Sequence, residues 1–180
     1  MITVVGLGAG APAALSRQVW EALRSGQPVW LRTAVHPTVD ALREAGIPFR
    51  SFDPLYEQAE SFETLYAQIV EQLLVLAQEG DVVYAVPGHP LVGEESVRLL
   101  LEKAREQAVP VRIVGSTGFL EPTLEALGLC ITDGLQVIDA LCASRFLPDQ
   151  SMHVLYYQVY DSFVASDLKL LLMRYYPEEH

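Results

Sequence analysis

The spacing of apolar residues alternates along the chain between short continuous runs and helical repeats. Five runs are typical of buried strands, at 2–6, 29–31, 49–52, 82–86 and 111–114. Between them, apolar residues recur at helical spacing, most clearly from Phe62 to Ala77, after which Gly80 ends the pattern. Shorter helices are predicted around 15–25, 39–45 and 94–107 and from about 118 onward. This alternation predicts an open, mostly parallel α/β sheet with flanking helices.

The rest of the chain predicts a second, smaller α/β lobe. A strand at 135–138 completes a first lobe over residues 1–139, and the weakly periodic stretch 140–151 is interpreted as a linker. A long strand over 152–160 and a helix over 166–176 follow. One strand and one helix cannot bury their own apolar faces. Residues 152–180 are therefore predicted to begin an incomplete second lobe, and the chain to be a fragment of a larger domain.

Composition and charge narrow the classes of function. The chain is 51% hydrophobic and 19% charged, which is typical of a globular protein. A net charge of −11 argues against general nucleic-acid binding. The N-terminal apolar run ends in glycines, and no apolar stretch is long enough to span a membrane, so we expect neither a signal peptide nor a membrane partner. Only Cys130 and Cys142 are present, which favours a reducing, cytoplasmic location.

Three loops that follow predicted strands contain the candidate chemistry. The first loop is GLGAGAP (6–12), the second is PGHPLVGE (87–94) and the third is GSTG (115–118). In open α/β sheets, ligands bind outside the carboxyl ends of the strands. Glycine lets a ligand approach the backbone closely, and a following helix offers free N–H groups. The loops therefore predict a site for a nucleotide-like small molecule.

Each loop taken singly is also compatible with a purely structural role. Gly6, Gly8 and Ala11 match the dinucleotide fingerprint G-x-G-x-x-G/A, but a tight strand–helix turn has the same requirement for glycine. Ser116 and Thr117 could cap the next helix. No acidic residue follows at the spacing of a ribose ligand, whereas Arg32 would suit a 2′-phosphate, so an NADP-binding protein remains open.

Metal and hydrolase motifs are not found. The four histidines are scattered, at His36, His89, His153 and His180, so no metal site is expected. The sequence contains no nucleophile elbow, P-loop or H-E-x-x-H motif. We assign no catalytic residue.

Taken in order, the three loops resemble those of the tetrapyrrole (corrin and porphyrin) methylases, which use S-adenosylmethionine. The G-x-G-x-G-D-P loop of that family is matched by residues 6–12 with Ala11 at the aspartate position, and its P-G-D-P loop by 87–90 with His89 at the aspartate position. The segments VYAVPGHPLVGEESV, VGSTGFLEPTLEALGL and QVYDSFVASDLKLLLMRYYP are more similar still to the branch fused ahead of MazG-type nucleoside triphosphate pyrophosphohydrolases, in which P-G-H-P is usual. The resemblance covers essentially the whole chain.

The resemblance implies two α/β lobes with S-adenosylmethionine between them and S-adenosylhomocysteine as product. It also implies a homodimer and, in a longer chain, a MazG-type pyrophosphohydrolase domain as partner. The cofactor-binding residues that it implies lie in the three loops and at the strand end of the second lobe: Gly8, Gly10, Pro87, Gly88, His89, Leu91, Val92, Gly93, Ser116, Thr117, Gln158 and Val159.

We therefore expect an S-adenosylmethionine-dependent methyltransferase of unassigned acceptor. Methyl transfer from a sulfonium is an in-line displacement that needs alignment more than acid–base groups, and loop carbonyls could line the cation. Arg145, Lys169 and Arg174 are interpreted as solvated surface charges rather than as a patch for a tetrapyrrole carboxylate. The alternatives are a non-catalytic binding or assembly module for a nucleotide pyrophosphohydrolase, and the NADP-binding protein.

Overall fold

The computed structural model describes residues 1–177, so His180 lies outside the described residues. The chain divides into two compact units, Met1–Glu125 and Ala126–His180. The first unit contains a five-stranded parallel sheet with the order β3-β2-β4-β1-β5. Its strands are β1 (Ile2–Gly6), β2 (Val29–Leu31), β3 (Phe49–Ser51), β4 (Val82–Val86) and β5 (Val111–Val114).

The helices of the first unit are α1 (Arg17–Leu23), α2 (Thr38–Glu44), α3 (Asp53–Tyr56), α4 (Phe62–Glu79) and α5 (Glu95–Glu106). A sixth helix, α6 (Leu120–Leu127), contains the boundary between the two units. Apolar residues of α1 and α2 pack on one face, and those of α4 and α5 pack on the other. The sequence-based prediction of an open parallel α/β sheet is therefore confirmed.

Strands β1 and β4 are buried on both faces, which explains why their sequences are continuous apolar runs. In β4, Tyr84 belongs to the core beneath α4 and α5, whereas Val83 and Ala85 belong to the core beneath α1 and α2. Successive side chains of a strand point to opposite faces, so a strand between two helical layers needs apolar residues at every position.

The ends of the helices are set by local hydrogen bonds. The Ser61 hydroxyl accepts a hydrogen bond from the Thr64 amide at the start of α4 (3.1 Å), and Gly80 follows its last turn. The Ser16 hydroxyl accepts one from the Val19 amide at the start of α1 (3.3 Å). A 3₁₀ turn, Pro12–Ala14, separates the first loop from α1. Helix α1 therefore lies within the predicted range 15–25, and the 3₁₀ turn occupies the chain between it and the first loop.

The second unit contains a two-stranded parallel sheet and one helix. Strand β6 (Leu135–Asp139) pairs with β7 (His153–Tyr157), and α7 (Ser162–Leu172) follows. Because β6 pairs with β7, it belongs to the second unit. The sequence-based prediction had instead included this strand in a first lobe that ends at residue 139. A 3₁₀ turn, Ala140–Arg145, occupies the beginning of the stretch interpreted as a linker.

Helix α7 starts earlier than its apolar pattern indicates. The Asp161 carboxylate accepts hydrogen bonds from the amides of Phe163 (2.8 Å) and Val164 (2.9 Å), which is N-terminal capping. The predicted strand over 152–160 is shorter, because Gln158 has a φ of 65° and breaks the extended backbone.

Candidate functional site

The three loops follow adjacent strands of the first unit. β4, β1 and β5 lie side by side and run parallel, so the second, first and third loops leave the same edge of the sheet. Gly8 and Gly88 exchange two backbone hydrogen bonds across this edge. The Gly8 amide donates to the Gly88 carbonyl (3.3 Å), and the Gly88 amide donates to the Gly8 carbonyl (3.0 Å). The first and second loops are therefore joined directly.

All three loops meet at Gly6. A Cβ placed on Gly6 would contact the Gly88 carbonyl oxygen and would lie 2.9 Å from both the Pro90 ring and the Ser116 Cβ. Real Cβ contacts are not this short, so only glycine fits at this point. The glycine of the fingerprint is therefore required by packing between loops.

His89 joins the second loop to the third. Its ring lies against Gly115, where an added Cβ would be 2.5 Å from the imidazole Nε2. The His89 Nδ1 accepts a hydrogen bond from the Leu91 amide (3.1 Å), which leaves Nε2 to hold the proton of the neutral ring. The side chain that replaces the family aspartate is thus built into the loop cluster.

The Ser116 hydroxyl is buried in the third loop and, among the described residues, has no hydrogen-bond partner. It lies against the first loop, 3.3 Å from the position that a Cβ on Gly8 would take. Helix α6 begins at Leu120, and the Glu121 carboxylate accepts from the Gly118 amide (3.2 Å). Ser116 therefore does not cap the next helix, and its hydroxyl is a buried polar atom that no described residue satisfies.

The remaining predicted site residues surround this cluster or lie apart from it. Gly8 and Gly88 have φ values of 75° and 65°, in the left-handed region that favours glycine. The others in the first unit are Gly10, Pro87, Val92, Gly93 and Thr117, together with Leu91, whose side chain is 58% exposed. Gln158 and Val159 belong to the second unit and are exposed at the end of β7. Their assignment to the ligand site stays a prediction.

The segment 36–38, between β2 and α2, also contacts the first loop. The His36 Nε2 donates to the Gly8 carbonyl (3.1 Å), and the Thr38 hydroxyl donates to the Leu7 carbonyl (2.9 Å). A Cβ on Gly10 would lie 3.6 Å from the Pro37 ring. The sequence had suggested no role for this segment, although its position after a parallel strand was a usable signal.

His36 is held as a neutral ring. Burial lowers the pKa of His36 below its ordinary value, the hydrogen bond to the Gly8 carbonyl opposes this effect, and the positive charge of Arg32 adds to it. The His36 Nδ1 accepts a hydrogen bond from the Thr38 amide (3.3 Å).

A polar network lies beside the second loop. The Arg32 Nε lies 3.2 Å from the Glu94 carboxylate, which is close enough for an ion pair. The angle between the two groups does not make this contact a hydrogen bond. The Arg32 and Glu94 side chains are 21% and 7% exposed. Burial raises the pKa of Glu94, whereas the charge of Arg32 opposes that rise. The Arg32 Nη1 also donates to the Tyr56 hydroxyl (3.1 Å). Arg32 therefore has protein partners, Glu94 and Tyr56, and NADP binding stays an untested alternative.

The same network continues into the core. The Ser96 hydroxyl donates to the Glu94 carboxylate (2.7 Å) and lies 2.7 Å from the Tyr84 hydroxyl. Tyr84 and Ser96 are fully buried. The end of the second loop and the start of α5 are thus fixed to the central strand β4.

Replacing Tyr84 with phenylalanine tests this network. We expect Tyr84→Phe to lower the free energy of unfolding by about 1 kcal/mol, because one buried hydrogen bond is lost while Ser96 keeps its bond to Glu94. Urea denaturation followed by circular dichroism measures the change. Tyr160→Phe is the matched control, since the Tyr160 side chain is 63% exposed. Equal stability of the two variants would contradict the network.

Among residues 1–177, no group of three or more histidine, cysteine, aspartate or glutamate side chains could hold a metal ion. Within the same residues, no helix has both the length and the apolar character needed to cross a membrane.

The fold and the loop cluster define a parallel α/β protein in which three glycine-containing loops meet at the carboxyl edge of the sheet. A sequence profile of the tetrapyrrole (corrin/porphyrin) methylases matches residues 1–180. The chain therefore belongs to the tetrapyrrole methylase family.

One curated relative is the uncharacterised protein YabN of Bacillus subtilis (strain 168). It is 37% identical over 179 residues, which cover 99% of this chain and 37% of YabN. The chain thus spans little more than a third of the length of that relative.

Solved structures share the fold at lower identity. Uroporphyrin-III C-methyltransferase from Thermus thermophilus has a TM-score of 0.67 at 22% identity, over 98% of this chain and 72% of that one. A complex of the same enzyme with S-adenosylhomocysteine has a TM-score of 0.61 at 20% identity, over 94% and 72%. A diphthine synthase has a TM-score of 0.57 at 19% identity, over 76% and 52%. These likenesses show the shared fold, which by itself does not define what a protein acts on.

Proposed function

We propose that the three loops bind S-adenosylmethionine and that the protein is a methyltransferase, with S-adenosylhomocysteine as product. The observation that supports this most is the meeting of the three loops at Gly6, through the Gly8–Gly88 hydrogen bonds, at the carboxyl edge of adjacent parallel strands. A fold neighbour complexed with S-adenosylhomocysteine supports the same ligand. The buried Ser116 hydroxyl offers a polar group for it.

The chain's own contribution is binding and orientation. When bound, S-adenosylmethionine supplies a methyl group activated by a positively charged sulfur, and the protein has to align it with the acceptor and exclude water. The carbonyls of Gly8, Gly88 and His89 accept hydrogen bonds within the first unit. A carbonyl oxygen can accept two hydrogen bonds, so these contacts leave the hypothesis that loop carbonyls line the cation as part of the proposal.

We also propose the partners that the sequence suggests. The protein works in the cytoplasm as a homodimer and belongs to the branch that precedes MazG-type pyrophosphohydrolase domains. The greater length of YabN is consistent with further domains in such relatives. Size-exclusion chromatography with light scattering tests the dimer, and a monomer at micromolar concentration would contradict it.

Gly88→Val is the direct test of the ligand site. Its φ of 65° is unfavourable for a β-branched residue, so the second loop should shift while the sheet still folds. We expect isothermal titration to show that the affinity for S-adenosylhomocysteine falls by about tenfold or more. Gly80→Ala is the matched control, because Gly80 has a φ of 170° and no atom within 4 Å of an added Cβ.

The outcomes separate the proposal from its competitors. Binding of S-adenosylhomocysteine by the wild type and by Gly80→Ala, weakened in Gly88→Val, supports the site. If Gly88→Val binds S-adenosylhomocysteine as tightly as the wild type, the ligand site is not at the second loop. If the wild type binds NADP and not S-adenosylhomocysteine, the proposed ligand is wrong.

A non-catalytic binding module is the second candidate. The observation that favours it is that the His89 ring and the Ser116 side chain pack directly into the loop cluster. Methyl-labelled S-adenosylmethionine incubated with the protein and a cell extract distinguishes the two functions. Transfer of label to any acceptor supports the methyltransferase, whereas ligand binding without transfer supports the module.

A further inference from the structure

The Gly8 carbonyl accepts two hydrogen bonds from two different parts of the first unit. One comes from the Gly88 amide (3.0 Å) and the other from the His36 imidazole (3.1 Å). Gly8 lies in the first loop and Gly88 in the second, whereas His36 follows β2. The His36 ring thus contacts the very peptide through which the two loops are joined.

Both nitrogens of the His36 ring are used, and they allow a single proton position. Nε2 must carry a hydrogen to donate to the Gly8 carbonyl, and Nδ1 must be bare to accept from the Thr38 amide (3.3 Å). A second proton on Nδ1 would face the Thr38 N–H. The geometry therefore admits the neutral ring and opposes the charged one.

We propose that His36 is a positioning residue of the ligand site, whose neutral ring holds the Gly8 carbonyl and so keeps the first loop against the second. This inference rests on the proposed function of the loops in ligand binding. It predicts that protonation of His36 loosens the first loop and lowers the affinity for the ligand.

Few charged groups lie near His36. The Asp53 carboxylate, at the start of α3, accepts a hydrogen bond from the Ala34 amide (2.8 Å) on the connection that carries His36. Arg32, on the same connection, is the charged group that acts on the ring. The first loop has no titratable side chain. On α2, Asp40 is exposed and paired with Arg43 (2.6 Å).

The direction of the pH effect follows from the lowered pKa of His36. The unfolded chain takes up a proton near pH 6.5, before the folded state does. Stability and loop order are therefore complete above that pH and are lost as the pH falls through the folded pKa. Ligand affinity should decline over the same interval.

Two substitutions separate the roles of the two ring nitrogens. The amide of His36→Gln can reach the Gly8 carbonyl as Nε2 does, whereas the oxygen of His36→Asn can accept from the Thr38 amide as Nδ1 does. We expect His36→Asn to bind S-adenosylhomocysteine about fivefold more weakly at pH 7.5, because the hydrogen bond to the Gly8 carbonyl is lost. His36→Gln should bind within about twofold of the wild type and should lose the extra decline in affinity that accompanies protonation of the wild-type histidine. His153→Gln, in the second unit, is the control for histidine removal.

Hydrogen exchange of the Gly88 amide tests the inference without any ligand. In His36→Asn, we expect this amide to exchange about fivefold faster, because the carbonyl that it bonds is no longer held. The Val83 amide, which donates to the Pro28 carbonyl (2.9 Å) in the same sheet, should be unchanged.

Ligand binding and Gly88 amide exchange distinguish failure of the proposed function from failure of the inference about His36. If the wild type binds no S-adenosylhomocysteine, the proposed function is wrong, and the exchange of Gly88 still decides the role of His36. If His36→Asn matches the wild type in Gly88 exchange and in the pH profile, the inference about His36 is overturned, whatever the ligand.

Discussion

Replacing Gly6 with alanine is expected to cost about 3 kcal/mol of unfolding free energy, the upper range for inserting an atom into a closely packed site. The added Cβ would contact the Gly88 carbonyl and lie 2.9 Å from the Pro90 ring and from the Ser116 Cβ. Two of these neighbours are backbone or ring atoms that cannot rotate away. Relief requires the loops to separate, so affinity for S-adenosylhomocysteine should fall more than in any other single variant named above.

Urea denaturation measures the stability of Gly6→Ala, and isothermal titration measures its affinity. Gly80→Ala again serves as the control, since nothing lies within 4 Å of its added Cβ, and we expect a change below about 0.5 kcal/mol. A Gly6→Ala protein with wild-type stability would show that the three loops do not meet as described.

The second large effect is expected for Glu94→Leu. This substitution removes the carboxylate that is ion-paired with the Arg32 guanidinium in a mostly buried position. Breaking a buried ion pair on one side costs roughly 3–5 kcal/mol, and because Arg32 is 21% exposed we expect the lower end, about 3 kcal/mol. The double variant Arg32→Met/Glu94→Leu should recover most of that loss, since it removes both charges.

Chemical denaturation of the two single variants and the double variant forms a complete cycle. Glu102→Gln is the control for loss of an acidic side chain, because the Arg98–Glu102 pair is exposed and should contribute less than about 1 kcal/mol. If the double variant were as unstable as the sum of the singles, Arg32 and Glu94 would not be coupled.

The central part of the fold could be predicted because its strands are apolar at nearly every position. The predicted bounds of β1, β2, β4 and β5 agree with the observed ones. The ends of α7 and β7 could not be predicted so well. They depend on the Asp161 side chain bonding two amides and on the positive φ of Gln158, neither of which alters the apolar pattern.

The three loops could be located for the same reason, since each follows a predicted strand. Their mutual contacts could not, because strand order decides which loops are neighbours and no local pattern encodes the order β3-β2-β4-β1-β5. His36 shows the limit most clearly. Its partner is the carbonyl of Gly8, which is distant in sequence, and a lone histidine in a loop gives no sign of such a bond.

The position of β1 in the sheet has a consequence for the growing chain on the ribosome. β1 is made first, but Ile2 pairs with Val82 and Val111, so no neighbouring strand exists until the chain has passed residue 82. Before then, β2 and β3 can pair with each other while β1 remains an unpaired apolar strand. Late, non-local pairing of this kind slows folding and exposes nascent chains to aggregation. The first and second loops therefore come together only when translation of the first unit is well past its midpoint.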